Sequence, residues 1–212
     1  MSEKNVTIIG SGDGPTSVFI ADRNSKLNIR QKLYKKRFEL LKNWHALWIK
    51  PNPHTIEGVI EYICTKYDFI EISRESEKYQ RRYQELRSSF IMQYKPELLG
   101  ECETIPELKN PNENDIKVFL EQMRLRQEKA NEVPEEIFSL DCYFFEKWDG
   151  DLYMEIELES GFEYIGGSTS GRKVSKFHKI YKDVYKYYGV SEDDIKNNSK
   201  RYQNLLRTLA MR

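Results

Sequence analysis

Three glutamates occupy alternate positions in LYMEIELES, within the C-terminal third of this 212-residue chain. In a β-strand, alternate side chains project from one face and lie roughly 7 Å apart. Glu155, Glu157 and Glu159 would therefore form a row of carboxylates. Such a row serves a metal ion or an acid–base pair only where other ligands converge on it. Otherwise it predicts a solvated face that docks a basic partner.

A second candidate is the segment GGSTSGRK, residues 166–173. Gly166 and Gly171 have the spacing of a P-loop, but Arg172 stands where that motif requires Lys. Lys173 stands where it requires the Ser or Thr that holds magnesium. Two interpretations stay open. The segment is an exposed surface loop, or Gly166, Gly167, Gly171 and Arg172 bind a phosphate group.

A third candidate lies in VTIIGSGDGPTSVFIA, residues 6–21. β-forming residues precede the glycines, and Pro15 suits the first turn of a helix. Backbone amides in such a turn can hold an anion. The candidate ligand loop consists of Gly10, Gly12, Asp13, Gly14 and Thr16. The dinucleotide-binding fingerprint is incomplete because Pro15, which has no N–H, replaces its third glycine. The alternative is a structural turn with glycines at positive φ.

Residues 7–21 resemble a segment of the β subunit of sodium-translocating decarboxylases such as oxaloacetate decarboxylase, which carries a stretch like IGGADGPTAIFL. The resemblance implies that Asp13 corresponds to an aspartate implicated in sodium handling, and it covers about 15 of 212 residues. That family is a polytopic membrane protein. No apolar run here approaches ~18 residues, so we expect no sodium translocation. The remainder is similar to uncharacterised soluble bacterial proteins, which implies no mechanism.

The other reactive residue types form no motif. Three histidines lack metal-binding spacing, and three cysteines lack a C-x-x-C pair, which favours reduced thiols. The N-terminus MSEKN has no signal-peptide pattern. We therefore predict a cytoplasmic protein with no metal, no cofactor, no membrane association and no catalytic residue.

The elements that must position these candidates are mostly helices. A helical period predicts helices over about residues 30–49, 56–67, 75–94 and 174–188, another capped by Asn114, and a last one near residue 205. In the first, apolar residues form an unusually wide stripe. Its members are Tyr34, Phe38, Leu41, His45 and Trp48, with Leu33, Leu40, Trp44 and Leu47 alongside.

Between residues 139 and 166 the apolar period changes to two. Asp149 and Gly150 are a strong hairpin signal. We predict an antiparallel meander of about three strands, with one buried and one wet face. The fold class is therefore α+β, mostly helical, with a small antiparallel β-meander in the C-terminal half. The organisation is a glycine-rich leader (1–29), a helical region (30–100), and a helix, meander and C-terminal helices (101–212).

Charge is distributed unevenly along a chain whose net charge is zero. Residues 97–163 contain nineteen acidic and six basic residues, between two basic segments. We predict a non-catalytic interaction protein, of immunity or antitoxin type, that docks a basic partner through Glu155, Glu157 and Glu159. One alternative is an enzyme or binding protein for a nucleotide or phosphorylated metabolite. Another is nucleic-acid binding through the lysines and tyrosines of residues 174–188.

Overall fold

The structure, a computed structural model, describes residues 4–8, 18–22, 29–105 and 112–211. Helices predominate, and the C-terminal half contributes three strands to an antiparallel sheet, which confirms the α+β class. By contacts the chain divides into Leu27–Ile72 with Asp141–Arg212, here called the sheet unit, and Met1–Lys26 with Ser73–Leu140, here called the helical unit. The division into segments 1–29, 30–100 and 101–212 stays a prediction.

The helices of the described residues lie close to the predicted ranges. They are α1 (Ile29–Trp48), α2 (Ile56–Tyr67), α3 (Glu77–Tyr94), α4 (Glu113–Glu132), α5 (Val174–Tyr188), α6 (Glu192–Lys196) and α7 (Lys200–Ala210), with a 3₁₀ helix at Pro96–Cys102. The strands are β1 (Lys4–Ile8), β2 (Val18–Asp22), β3 (Ile70–Glu71), β4 (Cys142–Asp149), β5 (Leu152–Glu159) and β6 (Tyr164–Ser170). None of the described helices is both long and apolar enough to cross a bilayer.

The larger sheet has the strand order β3-β4-β5-β6, and each neighbouring pair is antiparallel. β4 and β5 form the predicted hairpin, in which Gly150 has φ +62°. Glycine adopts this left-handed conformation at little cost. β3 escaped prediction because a strand of two residues shows no sequence period.

One face of this sheet forms the core of the sheet unit. Alternate residues of β5 pack with residues of α2, α5 and α7 in one apolar cluster, as the period of two predicts. The cluster includes Ile56, Val59, Ile63, Leu152, Met154, Ile156, Leu158, Phe177, Ile180, Val184, Leu205, Leu206 and Leu209. The helices around it place their side chains over the sheet, so the strands can position residues on the opposite face.

In the helical unit, α3 packs beside α4. Arg87 on α3 is buried and donates to three backbone carbonyls of the segment after α4. Its Nε lies 2.7 Å from Phe138 O, and its Nη2 lies 2.6 Å from Val133 O and 2.9 Å from Pro134 O. One charged side chain thereby binds three backbone carbonyls, of which Pro134 O also accepts the N–H groups of Ile137 and Phe138.

The start of α4 differs from the prediction. The N-cap is Asn112, not Asn114, because the Asn112 side chain accepts the N–H groups of Asn114 and Asp115. The Asp115 carboxylate accepts the Asn112 N–H in return and completes a capping box. Either asparagine can cap a helix, so only the reciprocal bond distinguishes them.

The leader begins with a strand, as predicted, and continues with another. β1 pairs with β2 in antiparallel register from Lys4 opposite Asp22 to Ile8 opposite Val18. Val18–Asp22 is therefore a strand and not part of a helix, which agrees with the β propensity of Val18, Phe19 and Ile20, while Pro15 lies outside the described residues. The candidate ligand loop of Gly10, Gly12, Asp13, Gly14 and Thr16 lies outside the described residues.

Candidate functional site

Glu159, predicted to face solvent, is buried at the end of β5. Its side chain is only 2% exposed and accepts three backbone N–H groups. Oε1 lies 3.3 Å from Asp141 N and 3.1 Å from Gly161 N, and Oε2 lies 2.6 Å from Phe162 N. Backbone amides stabilise a buried carboxylate well. Glu159 thus holds the turn that follows β5, which corrects the expectation of an exposed docking residue.

Glu155 is also buried rather than exposed. Its oxygens accept Tyr153 OH at 2.6 Å and Ser168 Oγ at 2.9 Å. The same Tyr153 hydroxyl lies 3.0 Å from Glu146 Oε2, so two carboxylates share one phenol. Burial, and then these carboxylates, raise the pKa of Tyr153. The phenol therefore stays protonated and bonded to Glu155 at neutral pH.

Glu157 lies half-buried between its two predicted neighbours. Its Oε1 accepts Tyr164 OH at 2.8 Å, and burial together with Glu157 raises the pKa of Tyr164. A Cβ on Gly166 would lie 2.2 Å from Glu157 Oε1 and 2.4 Å from Tyr164 OH. A side chain at this position would therefore force Glu157 and Tyr164 to shift. The expected row of three solvated carboxylates is wrong, because neighbouring strands and turns supply partners for each of them.

The predicted glycine-rich loop at 166–173 is largely strand. Gly166 and Gly167 belong to β6, and the carboxylate of Glu157 lies against Gly166 where an anion would have to bind. Gly171 follows the strand with φ +106°, and a Cβ there would lie 1.9 Å from Asp151 O. Arg172 is exposed beside it. These glycines leave room for close neighbours in β5, in α5 and in the turn before β5. Like charge disfavours a phosphate beside Glu157.

Sequence reasoning missed a polar cluster that joins α2 to α5. Asp183 Oδ2 accepts Tyr62 OH at 2.5 Å, Lys66 Nζ at 2.7 Å and Tyr67 OH at 2.7 Å. Burial acts to raise the pKa of Asp183, but these hydrogen bonds and the charge of Lys66 outweigh it and lower that pKa. Burial and the bond to Asp183 raise the pKa of Tyr67 to about 12. A signal was present, since Asp183 is the only acidic residue within α5.

Aromatic rings extend this cluster along the surface of α2 and α5. Tyr187 stacks on Tyr62 at 3.8 Å and on His54 at 4.1 Å between ring centres. Tyr67 meets Tyr62 edge-on, and Lys66 Nζ lies 4.7 Å from the centre of the Tyr62 ring. Both faces of Tyr187 are thus in contact with other rings. A nucleic-acid base could not stack there without displacing one of them.

The chemistry of this cluster is that of a structural tie. A general acid or base works best with a pKa near the operating pH. Here the pKa of Asp183 is lowered while the pKa values of Tyr62, Lys66 and Tyr67 are raised. At neutral pH the carboxylate, the ammonium and the phenols therefore keep their protonation states. The arrangement holds α2 to α5.

Helix α1 has an unusual surface. It packs against α7. Its half-buried residues lie on one side: Phe38, Leu41, Lys42, His45 and Ala46, with Ile49 just after its end. No α1 residue is fully buried. Burial, and then Lys182 and Lys186, lower the pKa of His45, so the imidazole packs there in its neutral form at neutral pH. This side corresponds to half of the wide stripe that the sequence displays.

The other half of that stripe faces solvent. Its exposed members include Tyr34, which is 57% exposed. The five others, together with Ile29 at the start of the helix, are six large apolar side chains between 55% and 79% exposed. We call them the α1 stripe: Ile29, Leu33, Leu40, Trp44, Leu47 and Trp48. The spacing of Leu33, Leu40, Trp44 and Leu47 places them along one side of a helix. Contiguous exposed apolar surface of this kind marks interaction sites.

Basic residues surround the α1 stripe. Residues 29–50 contain seven Lys or Arg residues and the single acidic residue Glu39, a net charge of +6. Lys36 and Arg37 lie between Leu33 and Leu40 on the exposed side. The surface therefore combines apolar anchors with a strong positive charge. Among the residues that the structure describes, no group of three His, Cys, Asp or Glu could hold a metal ion.

No protein-family model, curated protein or solved structure matches this chain.

Proposed function

We propose that this chain is a non-catalytic protein-interaction protein whose docking element is α1. The supporting observation is the α1 stripe, six large apolar side chains on one side of a helix whose other side packs against α7. Solvation of this much contiguous apolar surface is unfavourable, and its burial in a complex would supply binding energy. Trp44 and Trp48 belong to the residue type most enriched at binding hot spots.

The charge around the stripe supports one kind of partner. A surface with a net charge of +6 favours an acidic counterpart, which speeds association and excludes basic proteins. A helix with a ridge of apolar side chains fits an apolar groove on a partner. We therefore propose a partner protein with an apolar groove and an acidic rim. Two copies of α1 would repel each other, which disfavours self-association through this surface.

This proposal retains a non-catalytic interaction function but moves the docking surface. Glu155, Glu157 and Glu159 are bonded to hydroxyl and amide groups, so their use would require breaking those bonds. A bacterial immunity protein or antitoxin that covers its toxin would fit the proposal, with the acidic residues supplied by the toxin. A cytoplasmic location belongs to the same proposal.

The test compares a stripe variant with an exposed control. The stripe variant carries Leu40→Ser and Leu47→Ser, and the control carries Ile70→Ser, since Ile70 is 70% exposed in the same unit. Wild type and both variants are used for quantitative capture from native lysate, followed by binding measurements with the purified partner. In a Trp148→Phe background the remaining tryptophans are both on α1, so a blue shift in their emission reports burial of the stripe.

The proposal requires that the stripe variant loses the captured protein by about tenfold or more while the Ile70→Ser control keeps it. A second variant, Lys36→Glu with Arg37→Glu, should slow association and reduce its salt dependence. Stripe-dependent binding to vesicles with 30% phosphatidylserine and to no protein would overturn the proposal in favour of a lipid surface. A wild-type dimer that the stripe variant abolishes, or a partner that neither variant affects, would also overturn it.

A further inference from the structure

The exposed side of α1 contains a heptad repeat. Leu33, Leu40 and Leu47 recur every seven residues, and Arg37 and Trp44 each follow one of these leucines by four residues. The five residues thus have the alternating spacing of four and three that the a and d positions of a coiled coil have. All five are exposed, and we call them the α1 seam. The seam is about 21 Å long at the rise of an α-helix.

This spacing fits one shape of partner better than others. A lipid surface or a flat protein surface requires only that apolar residues share a side of the helix. A facing α-helix requires in addition that they recur with a mean period of 3.5, so that each side chain enters a hole between four residues of the other helix. Residues seven apart drift by only about 20° around a straight helix, so Leu33, Leu40 and Leu47 stay close to one line.

The charge within the seam is as informative as its spacing. Arg37 lies between Leu33 and Leu40 and is the only charged residue of the α1 seam. A helix that covers these leucines also covers part of the guanidinium, which is costly unless an anion compensates the charge. A carboxylate on the facing helix supplies that anion. Lys36, at the flanking g position, favours acidic residues along the same edge.

α1 is already folded when the partner arrives. It packs against α7 within the sheet unit, so binding does not have to form this helix from an unfolded chain. A free peptide of two heptads would be marginally helical in water and would lose binding energy to ordering. The seam is therefore presented by the fold in a form that a second helix can use directly.

Building on the function proposed above, we propose that the partner covers the α1 seam with an acidic α-helix packed in heptad register. In this arrangement Arg37 is the specificity-determining residue, because it pairs with a carboxylate at the facing position of the partner helix. A single polar residue in an otherwise apolar seam fixes the register of a coiled coil. Another copy of α1 would bring Arg37 and Lys36 against surfaces of the same charge.

The first experiment measures binding of a synthetic helix to the full chain. The probe peptide has four heptads with Leu at a and d, Glu at e and g, and one further Glu at the a position meant to face Arg37. Its control has the same composition, with the leucines of alternate heptads shifted by two positions. In the Trp148→Phe background, the emission of the α1 tryptophans gives both affinities. We expect the heptad peptide to bind at least about tenfold more tightly. Equal affinities, or no binding of either peptide, would overturn the inference.

A charge exchange tests the role of Arg37. Arg37→Glu should weaken binding of the same peptide about tenfold, and a peptide with Lys at the one exchanged a position should restore it. Lys35→Glu is the matched control, because it makes the same charge change at an exposed position of α1 outside the seam. It should change both affinities less than about threefold. Equal effects of Arg37→Glu and Lys35→Glu, or no recovery with the lysine peptide, would contradict the pairing.

The protein captured from lysate separates this inference from the proposed function. A partner that is lost with Leu40→Ser and Leu47→Ser, and also with Arg37→Glu but not Lys35→Glu, supports both. A partner that requires the two leucines but binds Arg37→Glu as tightly as wild type keeps the docking function and overturns the helical register. A partner that binds without the two leucines overturns the proposed function itself.

Discussion

Arg201 on α7 offers the sharpest test of what holds the sheet unit together. Its Nε donates to Gly189 O at 2.9 Å, and its Nη2 donates to His54 O at 2.8 Å and Tyr188 O at 2.7 Å. The guanidinium carbon also lies 3.6 Å from the centre of the Tyr188 ring. One side chain therefore joins α7 to the end of α5 and to the segment before α2. We expect Arg201→Met to weaken the packing of α7 against both of these segments.

The magnitude follows from the three carbonyls. Each hydrogen bond to a charged donor contributes about 1.5–3 kcal/mol, and the bonds of one side chain are not additive. The pair with Glu163 adds little, because that carboxylate is 56% exposed and 3.4 Å away. We expect Arg201→Met to lower the free energy of unfolding by about 3–5 kcal/mol. For a chain of this size the melting temperature should fall by roughly 6–20 °C.

Far-ultraviolet circular dichroism during urea unfolding is a suitable assay, since α2, α5 and α7 all lie in the sheet unit, whereas its three tryptophans are already exposed in the folded protein. Arg207→Met is the matched control, because Arg207 is exposed on the same helix and should change stability by at most about 0.5 kcal/mol. Arg201→Lys should lose most of the stability as well, since one ammonium cannot reproduce the planar fork. Equal urea midpoints for Arg201→Met and Arg207→Met would refute the reasoning.

Three further predictions concern the sheet and the α2–α5 cluster. Gly166→Ala should destabilise the protein by about 1–3 kcal/mol, because its Cβ would lie 2.2 Å from Glu157 Oε1 and would displace that side chain. Gly58→Ala, in α2 with no contact under 3.8 Å, should stabilise the protein by up to about 1 kcal/mol. The two variants should therefore shift the urea midpoint in opposite directions. The pKa of Asp183 is lowered on folding, so its contribution to the free energy of unfolding is complete above about pH 4 and is lost as the pH falls through the pKa of the folded state. Asp183→Asn should therefore reduce the fall of the free energy of unfolding between about pH 4 and lower pH. An unchanged fall in this pH range would contradict the prediction. The Tyr67 phenol should ionise near pH 12 in an ultraviolet titration, and Asp183→Asn should move that step to lower pH.

Local chemistry made the strands and helices predictable. The period of two identified β5 and its core face, and Asp149 with Gly150 identified the hairpin. The same period could not show whether the opposite face is wet. The Glu155 carboxylate is hydrogen-bonded to Ser168, thirteen residues away, and the Glu159 carboxylate is hydrogen-bonded to backbone amides of a turn. A carboxylate has the same sequence pattern whether water or a distant hydroxyl is its partner.

The buried arginines lay beyond prediction for a related reason. Arg87, Arg126 and Arg201 bind backbone carbonyls, which every residue carries and no sequence motif marks. An arginine beside apolar residues on a helix is also compatible with an exposed position. Only the packing of distant segments decides between a buried guanidinium and a solvated one. By contrast, Asp183 could have been selected as the lone acidic residue of a basic helix.

The wide apolar stripe of α1 shows how sequence and structure together locate a surface. A stripe this wide indicates a helix with two apolar sides, but not which side packs internally. The structure places Phe38, Leu41 and Ile49 toward the protein and leaves Leu47 79% exposed. Net charge along the chain drew attention to the acidic segment, yet its central glutamates are occupied by internal bonds. Exposed apolar area, rather than net charge, is therefore the basis of the docking surface that we propose, and the local charge is the basis for proposing an acidic partner.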